Sequence, residues 1–368
     1  MASTSNITIC HIIGARPNFV KLAPVYHALA ANDNVEQTIV HTGQHYDDNM
    51  SSLLLSQLKM PEPDINLGIG SGSHAEQTGR VMIALEPVLI EKNPDWLVVY
   101  GDVNSTLAAT LVASKMGTKI AHVEAGLRSF DWDMPEEINR VITDRISDLL
   151  FTHSKEAKQH LLDEGIAEEK IKFVGNVMVD SLVQLLPEAK RTAEPILAEL
   201  GAKPISLVTI HRGALTREPA RVKKLLESLG ILAKVSTVVF PIHPGTSTYI
   251  AEHGLESLLA PLNTTPPLGY LEFLGIQAAA TLVVTDSGGV QEESSYLGVP
   301  CLTVRENTER PVTITEGTNT LIGFDFDRLA QAGTEIIETS LDHSTRETTS
   351  IDGWDGKASL RIAQILCG

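Results

Sequence analysis

The sequence predicts an α/β protein built from two Rossmann-like, doubly wound domains with a cleft between them. Three observations carry this expectation. The chain has 368 residues, more than one core usually supports at roughly 150 residues per domain. Short apolar runs alternate with helix-length amphipathic segments, the rhythm of a parallel sheet with helical crossovers. That rhythm comes in two series, separated by the stretch Val179 to Lys203, which Pro187, Pro195 and Pro204 punctuate.

In chain order, the first series of strands is Ile7 to Ile13, Gln37 to His41, Trp96 to Tyr100, Lys119 to Val123, Leu149 to Thr152 and Ile171 to Val174. After the first strand comes Gly14-Ala15-Arg16-Pro17, with Pro17 suited to the first turn of a helix that carries Lys21. The second series is Leu207 to Ile210, Val238 to Ile242, Leu282 to Thr285 and Cys301 to Val304, with helices such as Ala220 to Leu232 and Val290 to Tyr296 between them. The expected domains are residues 1–180 and 204–350, joined by a helix-and-linker segment 181–203, with a C-terminal helix in 351–368 packing back on the first domain. Ligands of such sheets bind beyond the carboxyl ends of strands, so residues immediately after each strand carry most weight.

Composition narrows the function classes. With 29 basic and 46 acidic residues the net charge is -17, which disfavours binding a nucleic-acid backbone, and 5% aromatic residues leave few stacking platforms. No apolar run approaches the roughly 18 to 20 residues of a membrane span. The opening MASTSNITIC lacks a basic n-region, so a cytoplasmic protein without membrane partners is expected. Cys10, Cys301 and Cys367 are far apart and read as reduced thiols. His41 and His45 straddle a glycine turn, and no ligand spacing supports a metal; no G-x-G-x-x-G supports a dinucleotide cofactor.

Several strand ends carry chemistry. Arg16 and Lys21 either meet a diphosphate at a helix N-terminus or are solvated cations beside a tight turn. Asp102, after the strand ending at Tyr100, is a candidate base, although position alone favours a helix cap. His122 and Glu124 share one face in period-2 alternation; either Arg128 neutralises Glu124 as a structural pair, or Glu124 belongs to a proton-transfer site. Glu136 and Glu137 open a helix with Arg140 in i+3 and i+4 reach, a pattern usually of solvated ion pairs. Asp102, Glu124 and Glu136 converging on one cleft would suit proton transfer.

In the second series His211 with Arg212, and His243, follow equivalent strands and suggest an anion-facing rim. Thr285-Asp286-Ser287-Gly288-Gly289 breaks a strand into backbone N–H groups at a helix start, a seat for a nucleotide phosphate, and Glu293 is placed to accept a ribose diol. A helix cap with acidic dipole partners explains the same pattern, until Thr308-Glu309-Arg310-Pro311 adds a guanidinium after a neighbouring strand.

Taken in order, GARPNFVKLAPV (Gly14 to Val25), HTGQH, GDVNSTLAAT, HVEAGLRS, MPEEINR, HR, PIHP, TDSGGVQEE and TERPVTITEGTNTLIG (Thr308 to Gly323) resemble the non-hydrolysing UDP-N-acetylglucosamine 2-epimerases across nearly the whole chain. The resemblance implies the GT-B fold, a homodimer, a UDP-sugar substrate, no cofactor, and a place in supplying precursors of surface polysaccharide. It implies inversion at carbon 2, through anti elimination of UDP to a bound glycal and re-addition. By motif, Asp102, Glu124 and Glu136 are then the acid/base set and His211 aids UDP departure. Arg16, Lys21, His243, Ser287, Gly288, Gly289, Glu293 and Arg310 bind UDP.

The chain departs from the family at Asn18, where Glu is frequent, and at Gly213-Ala214-Leu215, where the family has x-E-N. Gln44-His45-Tyr46-Asp47-Asp48 differs from the Q-H-R-x-M of members activated by substrate at a second site, so hyperbolic kinetics are expected, with UDP closing the cleft. GAR-P and TGQH look like the subgroup acting on UDP-2,3-diacetamido-glucuronic acid, whereas Arg310 favours the ordinary enzymes. A hydrolysing 2-epimerase would share nearly all of these motifs, and a GT-B glycosyltransferase would share the fold and the nucleotide-sugar donor.

Overall fold

The computed structural model describes residues 6–44, 48–210, 218–340 and 350–368. It divides into two compact units, Met1–Gln184 with Asp352–Gly368, and Leu185–Ile351. In the first, β1 (Ile7–Ile13), α1 (Arg16–Ala30), β2 (Val35–His41), α2 (Asp48–Gln57), β3 (Ile65–Asn66) and α3 (His74–Lys92) are followed by β4 (Trp96–Tyr100), α4 (Asn104–Met116), β5 (Lys119–Ala125), α5 (Pro135–Ile146), β6 (Leu149–Thr152), α6 (Lys155–Asp163), β7 (Ile171–Phe173) and the start of α7 (Val177–Leu200), which belongs to the second unit from Leu185 on. The seven strands are parallel, in the order β3-β2-β1-β4-β5-β6-β7.

The second unit runs β8 (Ile205–Thr209), α8 (Pro219–Val235), β9 (Thr237–Pro241), α9 (Pro244–Glu252), β10 (Asn263–Thr265), α10 (Tyr270–Ala279), β11 (Leu282–Thr285), α11 (Gly288–Leu297), β12 (Cys301–Thr303), α12 (Val312–Thr315), β13 (Asn319–Leu321) and α13 (Phe326–Thr339). Its six parallel strands are ordered β10-β9-β8-β11-β12-β13. Central strands of such sheets are covered on both faces, which is why they read as apolar runs rather than as alternating ones. Leu97, Val98, Val99 and Tyr100 of β4, for instance, are all fully buried.

Each chain path starts at the middle of its sheet, winds outward, then returns to the other side of the first strand. The order therefore reverses between β1 and β4 and again between β8 and β11. At such a switch point the connections diverge to opposite faces and leave a crevice beyond the carboxyl ends. Gly14 to Arg16, Gly101 and Asp102, Ile210, and Asp286 to Gly289 occupy those positions.

Three strands escaped the reading of apolar runs. β3, β10 and β13 have two or three residues each and lie at or near sheet edges, where half-exposed positions carry Asn and Thr. The expected linker 181–203 is helical through Leu200, and α7 runs through Pro187 and Pro195. An internal proline costs about 3 kcal/mol. Here Leu182, Leu185, Ala189 and Ala193 bury a continuous stripe that offsets it.

The last helix, α14 (Ala358–Cys367), packs beside α1 in the first unit. Asp180 of α7 caps it, accepting from Ala358 N at 3.1 Å and from Ser359 N and Oγ at 2.7 and 2.6 Å. Burial pushes the Asp180 carboxyl up, against the hydrogen bonds from Ser359 and Ala358. Trp354 Nε1 donates to His153 O at 3.0 Å. Among the described residues no helix is long and apolar enough to cross a membrane.

Candidate functional site

The first cluster lies at the carboxyl ends of β1, β4 and β5. Asn18, buried in the first turn of α1, accepts from Gly14 N and Ala15 N at 3.1 and 2.9 Å through Oδ1 and donates to Tyr100 O at 3.0 Å through Nδ2. An amide both accepts and donates, so Asn18 ties the β1–α1 turn to the end of β4 in a way a carboxylate would not. Gly14 is required by packing: a Cβ there would lie 2.2 Å from Ser105 Oγ. Arg16 opens α1 with its side chain exposed.

Lys21, expected to be solvated or to face a diphosphate, is buried and pairs with Glu124, Nζ to Oε2 at 2.5 Å. The side chain passes Gly101, where a Cβ would come within 2.9 Å of Nζ. Glu124 is the extra residue of a bulge: Phe151 pairs with Val123 and Thr152 with Ala125, leaving Glu124 between them. Its φ is +75°, the left-handed region in which a side chain is strained. The bulge breaks the alternation that would have set Glu124 on one face with His122, and a bulge beside a site re-aims the side chain it carries. Arg128 does not serve Glu124; it pairs with Asp144 at 2.7 Å and Glu164 at 2.6 Å.

Gly126 closes the bulge with φ +80°, and a Cβ there would lie 2.2 Å from Ala157 O. Gly126→Ala combines left-handed strain with overpacking and should cost about 2–5 kcal/mol of stability. Chemical denaturation checks this, since an unchanged midpoint would show that α6 yields freely.

Asp102 is not a helix cap. Val103 is the N-cap of α4 and offers no side-chain bond, while Asp102 Oδ2 accepts from Arg140 NH2 and Nε at 2.7 and 3.2 Å. Arg140 is about 2% exposed and also pairs with Glu137. The solvated ion pairs expected on α5 are therefore buried ones. Glu137 further accepts from Ser129 N and Oγ and from Phe130 N, at 2.9, 2.8 and 2.9 Å, and so anchors the loop after β5. Glu136, beside it, is half-buried and makes no hydrogen bond or ion pair with a described residue. Asn139 Nδ2 donates to Asp102 O at 2.9 Å.

The second cluster lies in the other unit. Ser287 is the N-cap of α11 without a side-chain bond, and the first turn of α11 holds no acid. The cap with acidic dipole partners is thus replaced: Glu292 and Glu293 lie in the next turn, each with a partner elsewhere. Arg310 Nε pairs with Glu292 at 2.8 Å and NH1 with Glu309 at 2.5 Å. Its guanidinium lies against Gly288, where a Cβ would be 2.4 Å from NH1. Glycine at the head of α11 thereby admits a cation beside the positive end of the helix dipole.

Glu293 Oε1 accepts from Tyr270 OH at 2.9 Å. Burial, with the charge of Glu292, pushes the Glu293 carboxyl up to about 7 against the Tyr270 hydrogen bond. His243 is exposed and caps α9, accepting from Gly245 N at 3.2 Å. His211 and Arg212, like Gly213 to Leu215 and His45 to Asp47, lie outside the described residues.

Sequence reasoning missed Tyr270, Glu292 and Glu309, and the buried Asp144. Glu292 and Glu309 stood inside motifs already singled out; nothing local distinguishes Tyr270 or Asp144. Among the described residues no three His, Cys, Asp or Glu side chains gather as metal ligands.

Residues 27–367 match the family described as UDP-N-acetylglucosamine 2-epimerase. The chain is 43% identical over 364 residues to the UDP-N-acetylglucosamine 2-epimerase of Methanocaldococcus jannaschii, covering 96% of this chain and 97% of that protein. It is 42% identical over 362 residues to the UDP-2,3-diacetamido-2,3-dideoxy-D-glucuronate 2-epimerase of Pseudomonas aeruginosa, covering 97% and 99%. The crystal structure of the M. jannaschii enzyme in complex with UDP-GlcNAc and UDP matches with a TM-score of 0.89 at 41% identity, over 98% of this chain and 99% of that one. The fold is the GT-B fold of these proteins.

Proposed function

Because the chain belongs to the UDP-N-acetylglucosamine 2-epimerase family, we propose that it interconverts UDP-N-acetylglucosamine and UDP-N-acetylmannosamine by inverting carbon 2. The observation that carries the reading is Glu124, a carboxylate on a strained bulge paired with a buried lysine, at a strand end next to that of Asp102. Strain of this kind persists where the surroundings over-determine it, and it clusters at functional sites.

The proton on carbon 2 has no adjacent carbonyl to acidify it. Elimination solves this: a carboxylate takes the proton, the C–H electron pair becomes the C1–C2 double bond, and UDP leaves carbon 1 with the electrons of its C–O bond. Return of a proton to the opposite face of carbon 2 and of the UDP oxygen to carbon 1 completes the inversion without net oxidation. Asp102, Glu124 and Glu136 supply the proton acceptor and donor. The departing diphosphate is assigned to Arg310, the N–H groups at Ser287 to Gly289, Arg16, Lys21 and His243, the groups that the family motifs imply. His211 assists its departure, and Glu293 accepts the ribose diol.

Incubation with UDP-N-acetylglucosamine in deuterated water tests this. UDP-N-acetylmannosamine deuterated at carbon 2 is expected; free N-acetylmannosamine would indicate a hydrolysing enzyme, and no deuterium at carbon 2 would overturn the epimerase reading. The resemblance to the P. aeruginosa enzyme gives a second reading, and the same experiment with UDP-2,3-diacetamido-glucuronic acid decides between the two substrates.

The Glu293 carboxyl gives a pH prediction. Ionised, it accepts two donors from a ribose; protonated, it must spend one oxygen as a donor. Since its midpoint is near 7, UDP affinity should fall as pH drops from 8 to 6, and binding near pH 7 should release protons. Calorimetry in buffers of different ionisation enthalpy checks both, and a pH-independent affinity would remove Glu293 from the ribose.

A further inference from the structure

We propose that His122 is a positioning residue: a doubly protonated imidazolium that clamps the two strand ends carrying Asp102 and Glu124. The inference rests on the catalytic role given above to those two carboxylates. His122 lies in β5 and is fully buried. Its Nε2 is 2.7 Å from Gly101 O. A carbonyl oxygen only accepts, so Nε2 carries a proton.

Its Nδ1 is 2.7 Å from Asp144 Oδ1. The other oxygen of Asp144 accepts from Arg128 NH1 at 2.7 Å and Gly126 N at 3.0 Å. The Arg128 guanidinium, which keeps its charge in any protein, lies 2.7 Å from Asp144 Oδ2 and holds the buried carboxyl ionised. Asp144 therefore accepts at both oxygens and Nδ1 donates. A ring that donates from both nitrogens is the cation. Its charge is balanced inside the protein, by Asp144, with Arg128 neutralised in turn by Glu164.

The clamp acts on both carboxylates through the backbone. Gly101 N donates to Val123 O at 3.0 Å, so with the His122 bond both backbone polar groups of Gly101 are tied to β5 immediately before Asp102. On the other side Asp144 holds Gly126 N, two residues beyond Glu124, and closes the bulge from below. Beside an ionised Asp144, a neutral imidazole would keep only one of its own two hydrogen bonds, to Gly101 O or to Asp144 Oδ1.

Neutron diffraction from the perdeuterated protein reads the ring directly. Deuterium on both Nδ1 and Nε2, with none on Asp144, is expected; a ring deuterated on one nitrogen overturns the clamp. Kinetics read the positioning. In His122→Gln and Asp144→Asn, kcat should fall about a hundredfold, the scale of an ångström misplacement, with KM and UDP-binding stoichiometry within about twofold. An unchanged kcat, or a loss equalled by lost UDP-binding stoichiometry, overturns the role. Should neither variant fold, the neutron result decides. Failure of the epimerase reading is distinguishable: the unsubstituted protein would not turn over UDP-sugars while its His122 ring was still doubly deuterated.

Discussion

Glu124→Gln is expected to lower turnover by about 10²- to 10⁴-fold, the range over which a positioned general acid or base contributes. The amide keeps the size and the bulge but neither takes nor returns a proton. It also leaves Lys21, buried beside it at 2.5 Å, without a counter-charge. Breaking a buried ion pair from one side costs about 3–5 kcal/mol, so the rate should be expressed per UDP-binding equivalent. Glu124→Asp separates the two effects. Aspartate keeps the charge and tolerates left-handed φ better than glutamate, so stability should largely survive while the shortened side chain withdraws the carboxylate. Deuterium incorporation at carbon 2 is the readout. Turnover close to that of the unsubstituted protein in both variants would move the proton chemistry to other groups.

Arg140→Leu should produce the largest loss of stability among the side chains around this site. The guanidinium is buried between Asp102 and Glu137, and removing it strands two carboxylates, one of them almost fully buried. The expected cost is about 3–5 kcal/mol, a fall in Tm of roughly 10 °C at about 2–4 °C per kcal/mol for a unit of this size. Arg140→Lys keeps the charge but not the fork that reaches both acids, and should fall between. Thermal unfolding with UDP titration checks both. A shift below about 2 °C would mean that the pairs contribute as solvated ones do.

Most strands of both sheets were legible because a parallel sheet covered by helices buries both faces, and burial writes a contiguous apolar run into the sequence. β4 and β11 match their apolar runs to the residue. β3, β10 and β13 were not legible: an edge strand buries too little to leave a run. The segment of α7 reads as part helix and part linker because proline is a local signal, and the stripe from Leu182 to Ala193 that carries the helix through to Leu200 is a tertiary one.

By itself the sequence determined which residue types stand at the strand ends: Asp102 after β4, Glu124 at β5, Ser287 to Gly289 after β11, in an order that marks the family. Only the tertiary structure decided what each charge faces. Lys21 and Glu124 are far apart in sequence, as are Arg140 and Asp102, and Arg128 pairs with Asp144 and Glu164 rather than with the nearer Glu124. The reason is physical. A buried charge must find a partner wherever the fold brings one within about 3 Å, and that distance is set by sheet order and by a bulge of one residue, which a pattern of period two cannot express.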